Sequence, residues 1–130
     1  MVDFYRNKLA DNYKLAVSGL FNVPTISSTY DIIRVPHWAF VYDVFFEVVT
    51  LDGGGALIEV GFKGNGDTAD PNYFLTTTEG VLSAAGIIRP GTGAYAKYFS
   101  SASGTITLTT DGTAVTTAQY RVFVGYAVIQ

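Results

Sequence analysis

Alternation is the dominant signal along this chain. From Val41 to Thr50 the order Val-Tyr-Asp-Val-Phe-Phe-Glu-Val-Val-Thr sets Tyr42, Val44, Phe46 and Val48 on one side of an extended strand. Side chains alternate across a strand, so Val41, Phe45 and Val49 take the other side with Asp43 and Glu47. A second row, Ile58, Val60 and Phe62, follows a cluster of three glycines, with Glu59 turned away from it. Two β-branched, aromatic-rich runs around a glycine cluster predict a hairpin from Val41 to Phe62 with a loop longer than two residues. A one-residue slip would bring Asp43, Glu47 and Glu59 into the core, so the register is strongly specified.

The same reading extends in both directions. Lys14 to Phe21 reads as a first strand with Leu15 and Val17 on one face, and Thr29 to Val35 as a second, closed by Pro36. His37-Trp38 then forms a tight connection. Lys63 to Asn72 is dense in turn formers and reads as a ten-residue loop. Tyr73 to Thr78 and Tyr95 to Ser100 read as short strands, on either side of a Pro90–Gly93 turn. Periodicity does not separate a strand from a helical turn over Val81 to Ile88. Gly104 to Thr110 alternates threonine with Ile106 and Leu108, and Asp111-Gly112 is a turn signal.

The last run, Gln119 to Ile129, is apolar on both faces. Tyr120, Val122, Val124, Tyr126 and Val128 line one, and Phe123, Ala127 and Ile129 the other. An antiparallel strand with one wet face does not have that pattern, so the second face is expected to be covered, by the N-terminal arm or by another copy. About eight strands with glycine-rich turns and no long helical period predict an all-β, single antiparallel sandwich, jelly-roll-like. Residues 1–28 read as an arm plus the first strand and 29–130 as the sandwich body, one domain overall.

Composition narrows the function classes. Hydrophobic residues make up 48% of the 130 and charged residues only 15%, too few for a solvated charge coat, which leans toward an occupied surface. The net charge is −3 without a basic cluster, so no nucleic-acid partner is expected. No apolar run approaches the roughly 20 residues that span a bilayer, so no membrane partner is expected either. With no cysteine there is no disulfide and no thiolate metal site. The start, Met-Val-Asp-Phe-Tyr, lacks the apolar segment of a signal peptide.

Candidate chemistry is sparse. His37 is the only histidine, and no Gly-X-Ser-X-Gly elbow accompanies it, so packing at a strand entry outweighs catalysis. Asn65, Asp67 and Asp70 concentrate hard oxygen ligands of the kind calcium takes, yet no glutamate closes an EF-hand spacing, and such residues also cap turns. Trp38, with Tyr95 and Tyr98, offers rings for stacking on a sugar, although a lone tryptophan after a proline is more often an anchor. Asp43, Glu47 and Glu59 form an ordinary solvated face more readily than a glycosidase pair. No catalytic residue and no required cofactor is expected.

Several stretches taken together resemble a family of small tailed-phage virion proteins. They are the Val41–Thr50 run, the glycine-rich turn, the apolar strand ending in Gly61, Asp67-Thr-Ala-Asp70, the Tyr-Phe-Leu strand, Gly104-Thr-Ile-Thr-Leu-Thr and Tyr120-Arg-Val-Phe-Val-Gly-Tyr126. The resemblance covers roughly Val35 to Ile129. It implies a capsid decoration or cement protein without enzymatic activity, bound to the major capsid protein and to copies of itself, a trimer being favoured. It implies a place on the capsid surface of a virion made in the host cytoplasm. The expected contact surface is then the outward row Val41, Phe45 and Val49 with Phe123, Ala127 and Ile129. The alternative is a carbohydrate-binding or tail-spike, receptor-binding sandwich module using Trp38, Tyr95 and Tyr98.

Overall fold

The structure is a computed structural model. It describes residues 13–20, 28–50, 56–78, 80, 86–89, 91, 93, 94, 96–112 and 118–129. Nine strands and no helix occur among these: β1 (Tyr13–Val17), β2 (Thr29–Val35), β3 (Ala39–Thr50), β4 (Ala56–Gly64), β5 (Asp67–Leu75), β6 (Gly86–Ile88), β7 (Lys97–Tyr98), β8 (Gly104–Gly112) and β9 (Gln119–Val128). They form two antiparallel sheets. The first has the order β1-β9-β3-β6, with β7 also on β3, and the second has the order β2-β8-β4-β5.

The pairs nest along the chain, β1 with β9, β2 with β8, β3 with β6 and β4 with β5. Consecutive strands therefore mostly change sheet, which is the winding of a jelly roll. The expected sandwich is present, with one strand more than the expected eight. All five residues of the first strand pair with β9.

Between the sheets, the inward rows meet in one core. Phe46, Val44 and Val122 come from the first sheet, and Ile58, Val60, Ile106 and Leu108 from the second. Phe74 and Phe99 join them, all fully buried. Phe62 takes the edges of Tyr73 and Phe99 at 5.0 and 5.9 Å between ring centres, the T-shaped arrangement that ring quadrupoles favour.

Three local expectations are corrected. The Val41–Phe62 segment is not a hairpin: β3 lies in the first sheet and β4 in the second, and the two do not pair. A glycine-rich link between two apolar strands serves a crossover as well as a hairpin, and only the distant partners β9 and β8 decide between them. The ten-residue loop is instead a tight turn within a long hairpin. Asn65 and Gly66 both have positive φ (62° and 76°), as a two-residue turn matched to strand twist requires, and pairing resumes at Asp67. Likewise Asp111-Gly112 does not turn the chain, because β8 keeps pairing with β4 through Leu57↔Asp111 and Ala56↔Gly112.

Candidate functional site

On the outward surface of the first sheet, large apolar side chains are exposed and no described segment packs over them. In β1, Tyr13, Leu15 and Val17 pair with Ala127, Gly125 and Phe123 of β9, so these six positions share that outer face. Across the sheet Phe45 pairs with Phe123, and Ile87 of β6 lies opposite Glu47. Leu15 is 62% exposed, Ile87 51%, Tyr13 50% and Val17 47%. Large apolar residues so exposed and so aligned are unusual on a surface that stays in water.

The centre of the face is a stacked pair. The rings of Phe45 and Phe123 lie 4.7 Å apart and 5° from parallel, both half-buried. The Arg89 guanidinium sits 4.3 Å above the Phe45 ring and Arg121 6.0 Å from the Phe123 ring. Each arginine also holds a carboxylate, Arg89 on Asp43 at 3.0 Å and Arg121 on Glu47 at 2.7 Å. Asp43 and Glu47 are thereby engaged as a charged frame around the rings. Glu59 lies on the other sheet, apart from these two.

A β-bulge decides which residues of β3 reach this face. Register shifts between Val41 and Asp43, so Tyr42 is the extra residue. The alternation flips there: Val41 points into the core and is fully buried, while Tyr42 is 40% exposed. Its ring lies over Gly125, where a Cβ would meet it at 3.1 Å, and takes the edge of Tyr13 at 5.6 Å. Simple period-2 counting had placed Val41 outside and Tyr42 inside, and the bulge reverses both.

The other expected contact residues divide. Phe45 and Phe123 form the stacked centre; Val49 (43% exposed) and Ile129 (44%) lie near the ends of their strands. Ala127 faces outward between Phe40 and Tyr13, yet it is only 4% exposed. Tyr13, Leu15, Val17, Tyr42 and Ile87, outside the expected set, are exposed on the same side. The Leu15 and Val17 alternation was visible in the sequence, but the neighbour that would place it beside Phe123 was not.

The remaining candidates are held by local bonds. Asn65 is nearly buried: its side-chain NH2 donates to Asp67 at 2.8 Å, and its side-chain oxygen accepts from the Ser101 and Ala102 amides at 2.7 and 3.1 Å. Lys97 binds the Asp67 carboxylate at 2.6 Å. The Lys97 hydrogen bond, and then that from Asn65, hold Asp67 below the ordinary aspartate range. Asp70 is turned elsewhere, accepting from the Asn72 amide at 3.3 Å. Its charge adds to the burial that pushes Glu59 up. No group of three or more His, Asp or Glu side chains gathers for a metal among the described residues.

Trp38 adopts φ 73° at the corner between the sheets, a rare conformation for a bulky residue, and is pinned by Trp38 N–H to the Phe99 carbonyl and Ile129 N–H to the Trp38 carbonyl. One ring face is stacked on His37 at 4.2 Å, and Tyr98 approaches at 6.5 Å with its hydroxyl on the Ile129 carbonyl. Tyr95 lies outside the described residues. The only histidine contacts the Ser100 carbonyl at 3.0 Å with its Nε2.

No protein-family model matches the chain, and no curated protein matches it in sequence. Solved structures do match in fold. A chain of the acid-stable capsid of Helicobacter pylori bacteriophage KHP30 superposes with TM-score 0.63 and 18% identity, over 90% of this chain and 88% of that one. A chain of the cyanophage Pam1 capsid asymmetric unit gives 0.64 and 16%, over 92% and 88%. A chain of the Ralstonia phage GP4 capsid gives 0.67 and 14%, over 92% and 86%. The likeness spans nearly the whole of each matched chain.

Proposed function

We propose that this chain is a non-enzymatic structural protein of a phage virion. It decorates or cements the capsid, contacting the major capsid protein and copies of itself through the outer face of the β1-β9-β3-β6 sheet. The observation that carries the reading is that aligned, exposed apolar face, on a fold shared along nearly its full length with chains of three phage capsids. Covering such a face removes apolar area from water at about 25 cal/mol per Å², before the costs of association. The framed Phe45–Phe123 pair adds specificity, since a partner must also meet two guanidiniums and two carboxylates. A trimer is the copy number that goes with the resemblance.

The test is mass spectrometry of purified virions from the phage that encodes the chain, followed by rebinding of the isolated protein to particles stripped of it. Recovery in stoichiometric amount with saturable rebinding supports the reading. Absence from purified particles overturns it. A glycan-binding module would instead show affinity for host polysaccharide that Trp38→Ala removes.

A further inference from the structure

Sheet edges present unpaired backbone groups, and natural sheets blunt them with short strands, bulges, prolines or inward charges. Four of the five outer strands among the described residues carry such a device. β6 is three residues long and β7 two. β2 breaks register between Asp31 and Ile33. β5 contains Pro71 and shifts register against β4. β1 carries none of these: its five residues contain no proline and keep one register from Tyr13↔Ala127 to Val17↔Phe123. It also bears Leu15, whose 62% exposure exceeds that of the other exposed large apolar residues.

The direction of its free backbone groups follows from one hydrogen bond. The Ser18 amide donates to the Val122 carbonyl at 2.9 Å. In an antiparallel ladder bonded and non-bonded pairs alternate. Counting back, Ala16 and Lys14 bond toward β9, while the amides and carbonyls of Val17, Leu15 and Tyr13 point to the edge that no other described strand pairs.

We infer that this edge pairs with the same edge of a second copy, antiparallel about a two-fold axis at Leu15. That register sets Leu15 opposite Leu15 of the copy and Tyr13 opposite Val17. Each residue with outward backbone groups then meets another of the same kind, and every such pair exchanges two hydrogen bonds. On the outer face the Tyr13-Leu15-Val17 row doubles into one apolar band. Lys14, the only charge in the strand, meets Ala16 rather than a second lysine, so no like charges are opposed. A strand that is complementary to itself is what a two-fold, isologous contact needs. The contact joins two sheets edge to edge, leaves the outer face free for the shell, and is able to link neighbouring trimers. The inference rests on the self-association in the reading above, and not on the capsid partner.

The chain has no cysteine, so single cysteines introduced into the full-length protein report on neighbours directly. With a short bis-maleimide, Leu15→Cys is expected to cross-link to itself as a dimer. Lys14→Cys and Ala16→Cys are expected to cross-link when mixed and not alone. In sedimentation velocity, Leu15→Pro removes an outward amide without breaking a bond to β9 and is expected to weaken dimerisation at least a hundredfold. A wild-type protein that stays monomeric, cross-linking without that site preference, or an undiminished Leu15→Pro dimer overturns the contact. Particle rebinding by the Lys14→Cys and Ala16→Cys proteins, altered off the outer face, separates the two ideas: selective cross-linking without rebinding means the edge is right and the shell reading wrong. No selective cross-linking with rebinding intact removes the edge contact alone.

Discussion

The two outer faces of this sandwich are built from the same kind of strand and end up chemically opposite. On the β1-β9-β3-β6 sheet the outward positions are Tyr13, Leu15, Val17, Phe45, Phe123 and Ile87, and no part of the described chain crosses over Leu15. On the β2-β8-β4-β5 sheet they are Thr29, Asp31, Arg34, Thr105, Thr107, Thr109, Glu59 and Lys63. That second face is threaded by its own chain. The Asp70–Pro71 backbone runs against Gly61 so closely that a Cβ there would strike the Asp70 and Pro71 carbonyls. A small cavity of about 180 Å³ remains between Ala69, Pro71 and Thr29, Lys63 and Thr107. Thr105 and Thr107 are accordingly buried although they face outward. One face is finished by hydroxyls, charges and a covering segment. The other keeps large apolar side chains exposed, and an apolar area of this kind is stable in water only as long as it is small or occupied.

The largest effect should come from prying the covering segment off the second face. Gly61→Val has no room beneath Asp70–Pro71, and overpacking against backbone is expected to destabilise the fold by about 3 kcal/mol or more, read as a lowered denaturant midpoint. Next comes charge placed on either face. Phe123→Glu and Val17→Glu should weaken particle rebinding about a hundredfold, the equivalent of losing one well-buried large side chain. Thr29→Glu, on the opposite face, should leave rebinding unchanged. Equal losses from both faces would erase the contrast.

A smaller effect is expected within the stacked pair. Phe45→Ala removes a half-buried ring from Phe123 and from under Arg89, costing about 1–2 kcal/mol in the isolated protein. On the proposed reading, particle rebinding by Phe45→Ala should fall as well.

The smallest effect is on pH dependence, and it belongs to the second sheet. Asp67 is held below its ordinary range by Lys97 and Asn65, so its contribution to stability is complete above that range and fades as pH falls through the lowered value. Glu59 is pushed up by burial first, with the charges of Asp111 and Asp70 adding to it. Its effect has the opposite sign, favouring the fold at low pH and waning as pH rises through the raised value. Asp67→Asn should therefore flatten the acid limb of a melting-temperature profile, and Glu59→Gln the limb above it. A profile unaltered by Asp67→Asn would remove the Lys97 contact as its cause.

Sequence alone determined the rows that make the core. Alternation at Val44, Phe46 and Val48, at Ile58, Val60 and Phe62, and at Ile106 and Leu108 is a property of each strand by itself, and burial followed it. The doubly apolar β9 was visible in the same way. Pairing, by contrast, is settled between segments that lie more than a hundred positions apart for β1 and β9, and nothing within Val41–Phe62 distinguishes a hairpin from a crossover. The bulge at Tyr42 is equally silent in one strand, because it exists only as a mismatch in length against β9. That mismatch moved Val41 into the core and Tyr42 onto the face. The alignment of Tyr13, Leu15 and Val17 with Ala127, Gly125 and Phe123 likewise became apparent only when the first strand closed on the last. Local chemistry decided which residues avoid water, and three-dimensional closure decided which of them were left facing it.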